Sequence, residues 1–276
     1  MSPDLDAIAS QVSSALAEDL GVGDVSASLI EPSRRGRAIL LTRQAGVLAG
    51  RAWAETAFRL LDPACNLRWS ADDGEEILAG QQLCVIEGQA RAMLSAERTA
   101  LNFLQLLSGV ATSTRHYVDS IAGTGARLLD TRKTLPGLRL AQKYAVRMGG
   151  GHNHRLGLYD MVMLKENHIT AAGGIQASVA LARQQHPGLT VEVEVETLEQ
   201  LEQALAADAD RIMLDNFGLE DMRLAVEKNQ GRAILEASGG LELNQLRQVA
   251  ETGVDDISVG ALTKTIIPLD LSLRFE

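Results

Sequence analysis

Residues 127–168 hold eight of the chain's 26 lysines and arginines, but only three of its 36 acidic residues. The cations are Arg127, Arg132, Lys133, Arg139, Lys143, Arg147, Arg155 and Lys165, and His152, His154 and His168 accompany them. Such an excess inside a protein of net charge −10 marks the place where a strongly anionic ligand belongs. The alternative is a basic helix face paired with the acidic remainder. It fits less well, because the basic residues also sit in turn chemistry, TLPG and GGGHN.

The other chemistry-bearing residues follow short apolar runs. RLLDT leads into DTRK (130–133), MVMLK into KENH (165–168), and VEVEVE ends in EVE (194–196). RIMLD leads into DN (215–216), AILEAS into SGG (238–240), and DISVGA contains SVGA (258–261). One polar ending means little, but six in register point to one shared pocket. VEVEVE puts Glu192, Glu194 and Glu196 on one face, and charges taken from water need partners. Lys133, Lys165 or a divalent cation could serve. Glu192 reads as part of a salt-bridged interior, and Glu194, nearer the mouth, as functional. Asp215 suits Mg²⁺ or a ribose hydroxyl, directly or through water. The glycine backbone of SGG and SVGA can hold a phosphate.

The six runs start at 127, 161, 191, 211, 233 and 256, with helix-forming segments such as LEQLEQALAA, LEDMRLAVEK and LNQLRQVAE between them. That pitch predicts parallel strands with crossover helices, a barrel or a doubly wound sheet. Six units fall short of the eight of a full barrel, so the barrel is incomplete or a strand is hidden. Either architecture gathers ligand groups at the carboxyl ends of the strands. Before this series the pattern predicts a helix over 4–20 stopped by Gly21, then a turn and a short extended piece over 21–30. A strand and turn over 36–50, a helix over 51–62 and strands near 66–70 and 81–88 complete a small α+β layer. A long helix over 91–121 follows, with Gly109 as a plausible break.

Composition narrows the field. Hydrophobic residues make up 46% and charged residues 22%, as in ordinary globular chains. The acidic balance argues against a general nucleic-acid binder. The acidic N-terminal helix does not read as a signal peptide, and no apolar stretch suggests a membrane span. Cys65 and Cys84 lack metal-site spacing and read as reduced, buried thiols of a cytoplasmic protein.

Taken together, DTRKTLPGLR, GGGHNHRLGLYD, MLKENHI, VEVEVE, MLDNF, SGG and SVGALTK strongly resemble the quinolinate phosphoribosyltransferase family. The likeness extends from EDLGVGDVS (18–26) through ERTALNFLQLLSGVAT (97–112) to the C-terminus. It implies an α/β protein with an N-terminal α/β sandwich (1–110) and an incomplete, six- or seven-stranded α/β barrel (111–267). The tail 268–276 would return to the first domain. The implied reaction joins quinolinate to phosphoribosyl pyrophosphate with Mg²⁺, giving nicotinate mononucleotide, CO₂ and pyrophosphate. By position, Arg132, His154, Arg155 and Lys165 would receive quinolinate, with Arg98 reaching in from a neighbouring subunit of a homodimer or higher even oligomer. Thr131 belongs to the same substrate lining. Lys133 would face pyrophosphate, and Glu194 and Asp215 the ribose and its metal. Lys133, Lys165, Glu194 and Asp215 would be the catalytic set. Ser238, Gly239, Ser258 and Gly260 would take the 5′-phosphate. One departure is Lys264, after GALT, where many relatives carry histidine. The alternatives are a phosphoribosyltransferase for another base and a non-catalytic barrel that binds a phosphorylated metabolite.

Overall fold

Each of the six apolar runs forms a strand: β1 (Arg127–Leu129), β2 (Val162–Leu164), β3 (Val191–Val195), β4 (Arg211–Asp215), β5 (Ile234–Ser238) and β6 (Asp256–Ser258). They pair in parallel in the order β1-β6-β5-β4-β3-β2. This is the order of a barrel opened between its first two strands. No seventh strand fills the gap among the described residues. A single parallel bridge, Leu129 to His152, takes up the outer edge of β1. The molecule is described by a computed structural model covering residues 4–276.

Crossover helices Ile175–Gln185, Leu198–Ala206 and Leu219–Asn229 return the chain between strands. Thr197 caps the second of these by accepting from the Gln200 N–H (3.2 Å). Val191, Val193, Ile212, Leu214, Leu235 and Ile257 are at most 1% exposed, so strand and helix layers share a dry core. This unit comprises residues 116–133 and 151–261.

The second unit takes the residues up to 115, with 134–150 and 262–276. Its sheet is antiparallel. The strand Arg35–Thr42 lies between Gln82–Gln89 and Leu271–Phe275, and Asn66–Trp69 forms the far edge. Helix Leu5–Leu20 starts at Asp4, whose carboxylate accepts from the Asp6 N–H, and stops at Gly21. Gln142 is fully buried and ties two segments together, accepting from the Leu135 N–H (2.7 Å) and donating to Thr263 O (2.9 Å).

Two sequence expectations fail here. Residues 21–30 form turns and a 3₁₀ helix, Ala27–Leu29, because Asp24 accepts from the N–H groups of Ser26 and Ala27 and winds the chain. Gly109 does not break its helix, which runs unbroken from Ala90 to Ser120. Its role is spatial: a β-carbon there would stand 2.3 Å from Ile267 O.

Candidate active site

The strand ends of the parallel sheet surround a cavity of about 310 Å³. Thr131, Arg132 and Lys133 enter it after β1, and Lys165 after β2. Glu194 comes from β3, Asp215 from β4, Ser238 from β5 and Ser258 from β6. His154 and Arg155 arrive on the segment that bridges to β1. Four of these residues are lysine or arginine and two are exposed enough to act as carboxylates toward a ligand. The mouth therefore carries a surplus of positive charge.

Local hydrogen bonds hold this lining in place. Asp130, wholly buried, accepts from the His154 N–H (2.9 Å) and from Asn153 Nδ2 (2.6 Å). The end of β1 is thereby tied to the segment carrying Arg155. The Arg155 guanidinium donates to Met161 O (3.3 Å) and approaches Met163 Sδ (3.4 Å). Burial and the neighbouring Arg132 charge hold Arg155 below the usual guanidinium range. Two guanidinium groups set against each other in this way favour an anion between them. Lys165 pairs with Glu194 across β2 and β3. His168 accepts from the Lys165 N–H (3.1 Å) and so serves as a cap on the helix Glu166–Ala172.

On the opposite wall, Asn216 donates to the Asp215 carboxylate (3.0 Å) and its N–H to Ser238 O (3.0 Å). Gly239 has a φ of +106°, and a β-carbon there would lie 2.2 Å from Asn216 Oδ1. Only glycine permits that approach. Gly260 sits beside Lys133, whose Cδ would be 3.0 Å from an added β-carbon. Neither glycine lines the cavity itself. Both shape its rim.

Below the cavity, and sharing Glu236 with its lining, lies a second set of charges. Glu192, Glu236 and Asp256 are fully buried, and Arg211 is nearly so. Arg211 reaches Glu192 (3.4 Å), Glu236 (2.7 Å) and Asp256 (2.8 Å). Arg127 holds Asp256 with two bonds, 2.7 and 3.0 Å. Strand register makes this layer, since Glu192 is paired with Arg211, Glu236 with Asp256, and Asp256 with Arg127. Burial opposes charge on Arg211, but the three carboxylates outweigh it and raise its proton affinity further.

His154 joins the layer from above. Its Nε2 lies 3.0 Å from Glu192 and 3.3 Å from Glu236, and its side chain is 5% exposed. Burial alone would lower proton affinity at His154, but the two carboxylates beside the ring raise that of the group. Burial raises Glu192, while Glu236 is held low by His154, Ser258 and Arg211 against the opposing effect of burial. Three acids face two arginines, so the layer is neutral when it holds one extra proton. That proton belongs to the group as a whole. The Arg155 N–H donates to His154 Nδ1 (2.7 Å), which leaves no room for a proton there. The ring proton is then on Nε2, and the additional one is on the Glu192 side.

Arg98 lies in the other unit. It is exposed and borders a separate cleft of about 690 Å³ between helix Leu5–Leu20, its own helix and the loop 136–138. Gln11 spans that cleft's floor, accepting from Trp53 Nε1 (2.8 Å) and donating to Gly137 O (2.7 Å). Sequence reasoning missed Met163, Met213 and Glu236 in the cavity. The methionines lie inside apolar runs, and Glu236 sits in AILEAS two residues before the strand end. The inward alternation seen in VEVEVE was the signal that could have exposed Glu236.

The descriptions of two families match consecutive parts of the chain. Residues 24–108 match "Quinolinate phosphoribosyl transferase, N-terminal domain" and residues 110–274 its "C-terminal domain". A probable nicotinate-nucleotide pyrophosphorylase [carboxylating] of Synechocystis sp. is 44% identical, covering 94% of this chain and 89% of its own. The nicotinate-nucleotide pyrophosphorylase [carboxylating] of Mycobacterium leprae is 41% identical over 98% of both. The solved nicotinate-nucleotide pyrophosphorylase from Francisella tularensis superposes with a TM-score of 0.97 at 45% identity, covering 100% of this chain and 98% of that one.

Proposed function

The chain belongs to the quinolinate phosphoribosyltransferase family, and from that premise we propose that it makes nicotinate mononucleotide from quinolinate and phosphoribosyl pyrophosphate, releasing CO₂ and pyrophosphate. The observation that carries this reading is the cavity lining, where Arg132, Lys133, Arg155 and Lys165 face Glu194 and Asp215 in one space of about 310 Å³. A pyridine dicarboxylate needs several cations, and a base with one carboxylate would not use so many. Retention of both acids counts against a simple anion-binding barrel.

Arg132, Arg155 and Lys165 receive the two carboxylates in this reading. The pyridine nitrogen already has its lone pair, so attack on the ribose needs no general base. Lys133 stabilises the departing pyrophosphate. Ser238, Ser258 and the glycine rim at Gly239 and Gly260 take the 5′-phosphate, with Thr131 positioning Lys133 by accepting from its N–H (3.0 Å). Once ribosylated, the ring nitrogen is cationic and stabilises the carbanion left as CO₂ departs. Glu194 and Asp215 are hard oxygen donors suited to Mg²⁺. Both would hold the ion through water and substrate oxygens. The ion would supply charge neutralisation for the pyrophosphate and ribose oxygens. An assay with quinolinate, phosphoribosyl pyrophosphate and Mg²⁺, following nicotinate mononucleotide and CO₂, tests the whole reading. Absence of both products sinks it.

The protein acts in the cytoplasm as an even oligomer, with Arg98 completing a neighbouring subunit's site. Support comes from the exposure of Arg98 at the rim of a large cleft outside the parallel-sheet unit. An arginine there covers a second copy's cavity if a two-fold axis brings the two together. Mixing Arg98→Ala with Lys165→Ala subunits, each nearly inactive, should restore activity in the mixed oligomer. Proven subunit exchange without recovery removes Arg98 from the shared site.

A further inference from the structure

We infer that Glu236, backed by Arg211, is a positioning residue for quinolinate, acting through the His154 ring on the main chain that carries Arg155. This rests on the assignment of Arg155 to a quinolinate carboxylate. The resemblance places His154 itself among the substrate's cations, but the geometry turns its ring inward. Nδ1 accepts from the Arg155 N–H at 2.7 Å, and Nε2 lies 3.0 and 3.3 Å from Glu192 and Glu236. Both nitrogens are engaged within the protein, and the side chain is 5% exposed. The ring is a link between a buried layer and a peptide group.

Arg155 needs such a link. Its guanidinium has long contacts, 3.3 Å to Met161 O and 3.4 Å to Met163 Sδ, and the charge of Arg132 works against it. Its head group therefore goes where its main chain sends it. The His154 peptide is fixed below by Asp130 at 2.9 Å, and the Arg155 peptide by the His154 ring. The ring in turn is only as fixed as the carboxylates beneath it. Glu236 is immobilised by Arg211 at 2.7 Å, Arg211 by Asp256 at 2.8 Å, and Asp256 by the two bonds from Arg127. These partners sit on neighbouring parallel strands, so the chain of contacts is as stiff as the sheet.

His154, Glu192 and Glu236 are also close enough together to ligate a metal ion. Two facts count against that use. Arg211 already occupies the Glu236 oxygen that faces His154. The layer also lacks one positive charge, which a proton supplies and a divalent cation overshoots.

Steady-state kinetics on the whole enzyme test the inference, with separate KM values for quinolinate and phosphoribosyl pyrophosphate. The variants are Glu236→Gln, His154→Ala, their double, His154→Asn and Arg155→Ala. Glu236→Gln keeps the volume and should raise the quinolinate KM on the order of ten-fold, as for loss of one charged hydrogen bond. The phosphoribosyl pyrophosphate KM should stay within about two-fold, and the double variant should be no worse than His154→Ala. His154→Asn should recover much of the loss, because its amide oxygen can replace Nδ1 as acceptor for Arg155. Multiplying losses in the double variant would overturn the inference. So would equal effects on both substrates, or an asparagine as poor as alanine, the last meaning that His154 meets quinolinate directly. An unchanged quinolinate KM in Arg155→Ala removes the Arg155 assignment and the inference with it. A loss in Arg155→Ala but none in Glu236→Gln removes the inference alone. Arg211→Lys carries the same comparison if Glu236→Gln yields too little folded protein.

Discussion

Glu192 and Glu194 stand two residues apart on β3 and point the same way, yet they do opposite work. Glu192 is fully buried in a layer that, with one extra proton, balances its own charges within the protein. Glu194 shares a half-open mouth with Lys165, where cations outnumber acids and the balance is left to a ligand. The same residue types thus serve structure or chemistry according to depth. A charge set that closes on itself stabilises the sheet, and one left unbalanced binds substrate. Variants on either side of that divide should separate stability from activity.

The largest effect is expected below the divide. Arg211→Met leaves three buried carboxylates facing one arginine and should cost roughly 3–5 kcal/mol of unfolding free energy, read from denaturant titration. A cost below ~1 kcal/mol would mean the layer is not balanced as described.

Above the divide, Arg132→Ala and Arg155→Ala should each lose ~2–5 kcal/mol in kcat/KM for quinolinate. Their unfolding free energies should stay within about 0.5 kcal/mol of the parent, since neither belongs to the closed layer. Matching losses of stability would erase the distinction between the two regions.

The layer should also make stability depend on pH. Its extra proton is on the Glu192 side, where burial raises the carboxyl pKa, so the folded protein holds it more tightly than the unfolded chain does. That stabilisation is present at low pH and is lost as pH rises through the raised pKa, above the ordinary carboxylate value of about 4.3. Unfolding free energy, read from denaturant titration, should therefore fall as pH rises through that range. A Glu192→Gln variant with the same pH slope would assign the proton elsewhere.

The smallest effect is the most selective. Asp215→Asn should lower Mg²⁺-dependent turnover by about 1–3 kcal/mol while quinolinate binding, followed by calorimetry, is largely kept. Loss of quinolinate binding would show that the two walls of the cavity are not independent.

The upper region was legible in the sequence and the lower one was not. Strand ends announce themselves, because an apolar run followed by DTRK or KENH marks both the strand and its ligand-facing tip. Arg211 and Asp256 open their strands, and Glu236 lies inside one. Which residues they meet depends on register across the sheet, and no local pattern encodes register between strands 20 or more residues apart. Glu192 was readable as a salt-bridged interior group only because VEVEVE alternates. His154 was readable as a site residue, but not its inward-turned ring. Gly109 was misread for a similar reason, since its need for space comes from Ile267, far along the chain.

The strand Leu271–Phe275 completes the antiparallel sheet by pairing with Arg35–Thr42. Arg43 and Ser272, at the end of that pairing, are 229 positions apart. During synthesis at ~5–20 residues per second, the earlier strand emerges roughly ten to fifty seconds before its partner exists. For that interval the nascent sheet presents an open edge, the kind of surface that recruits other chains. Arg35 and Arg37, both exposed, put two like charges at the start of the waiting edge. Once Leu271–Phe275 arrives, Arg37 closes the edge by pairing with Glu276.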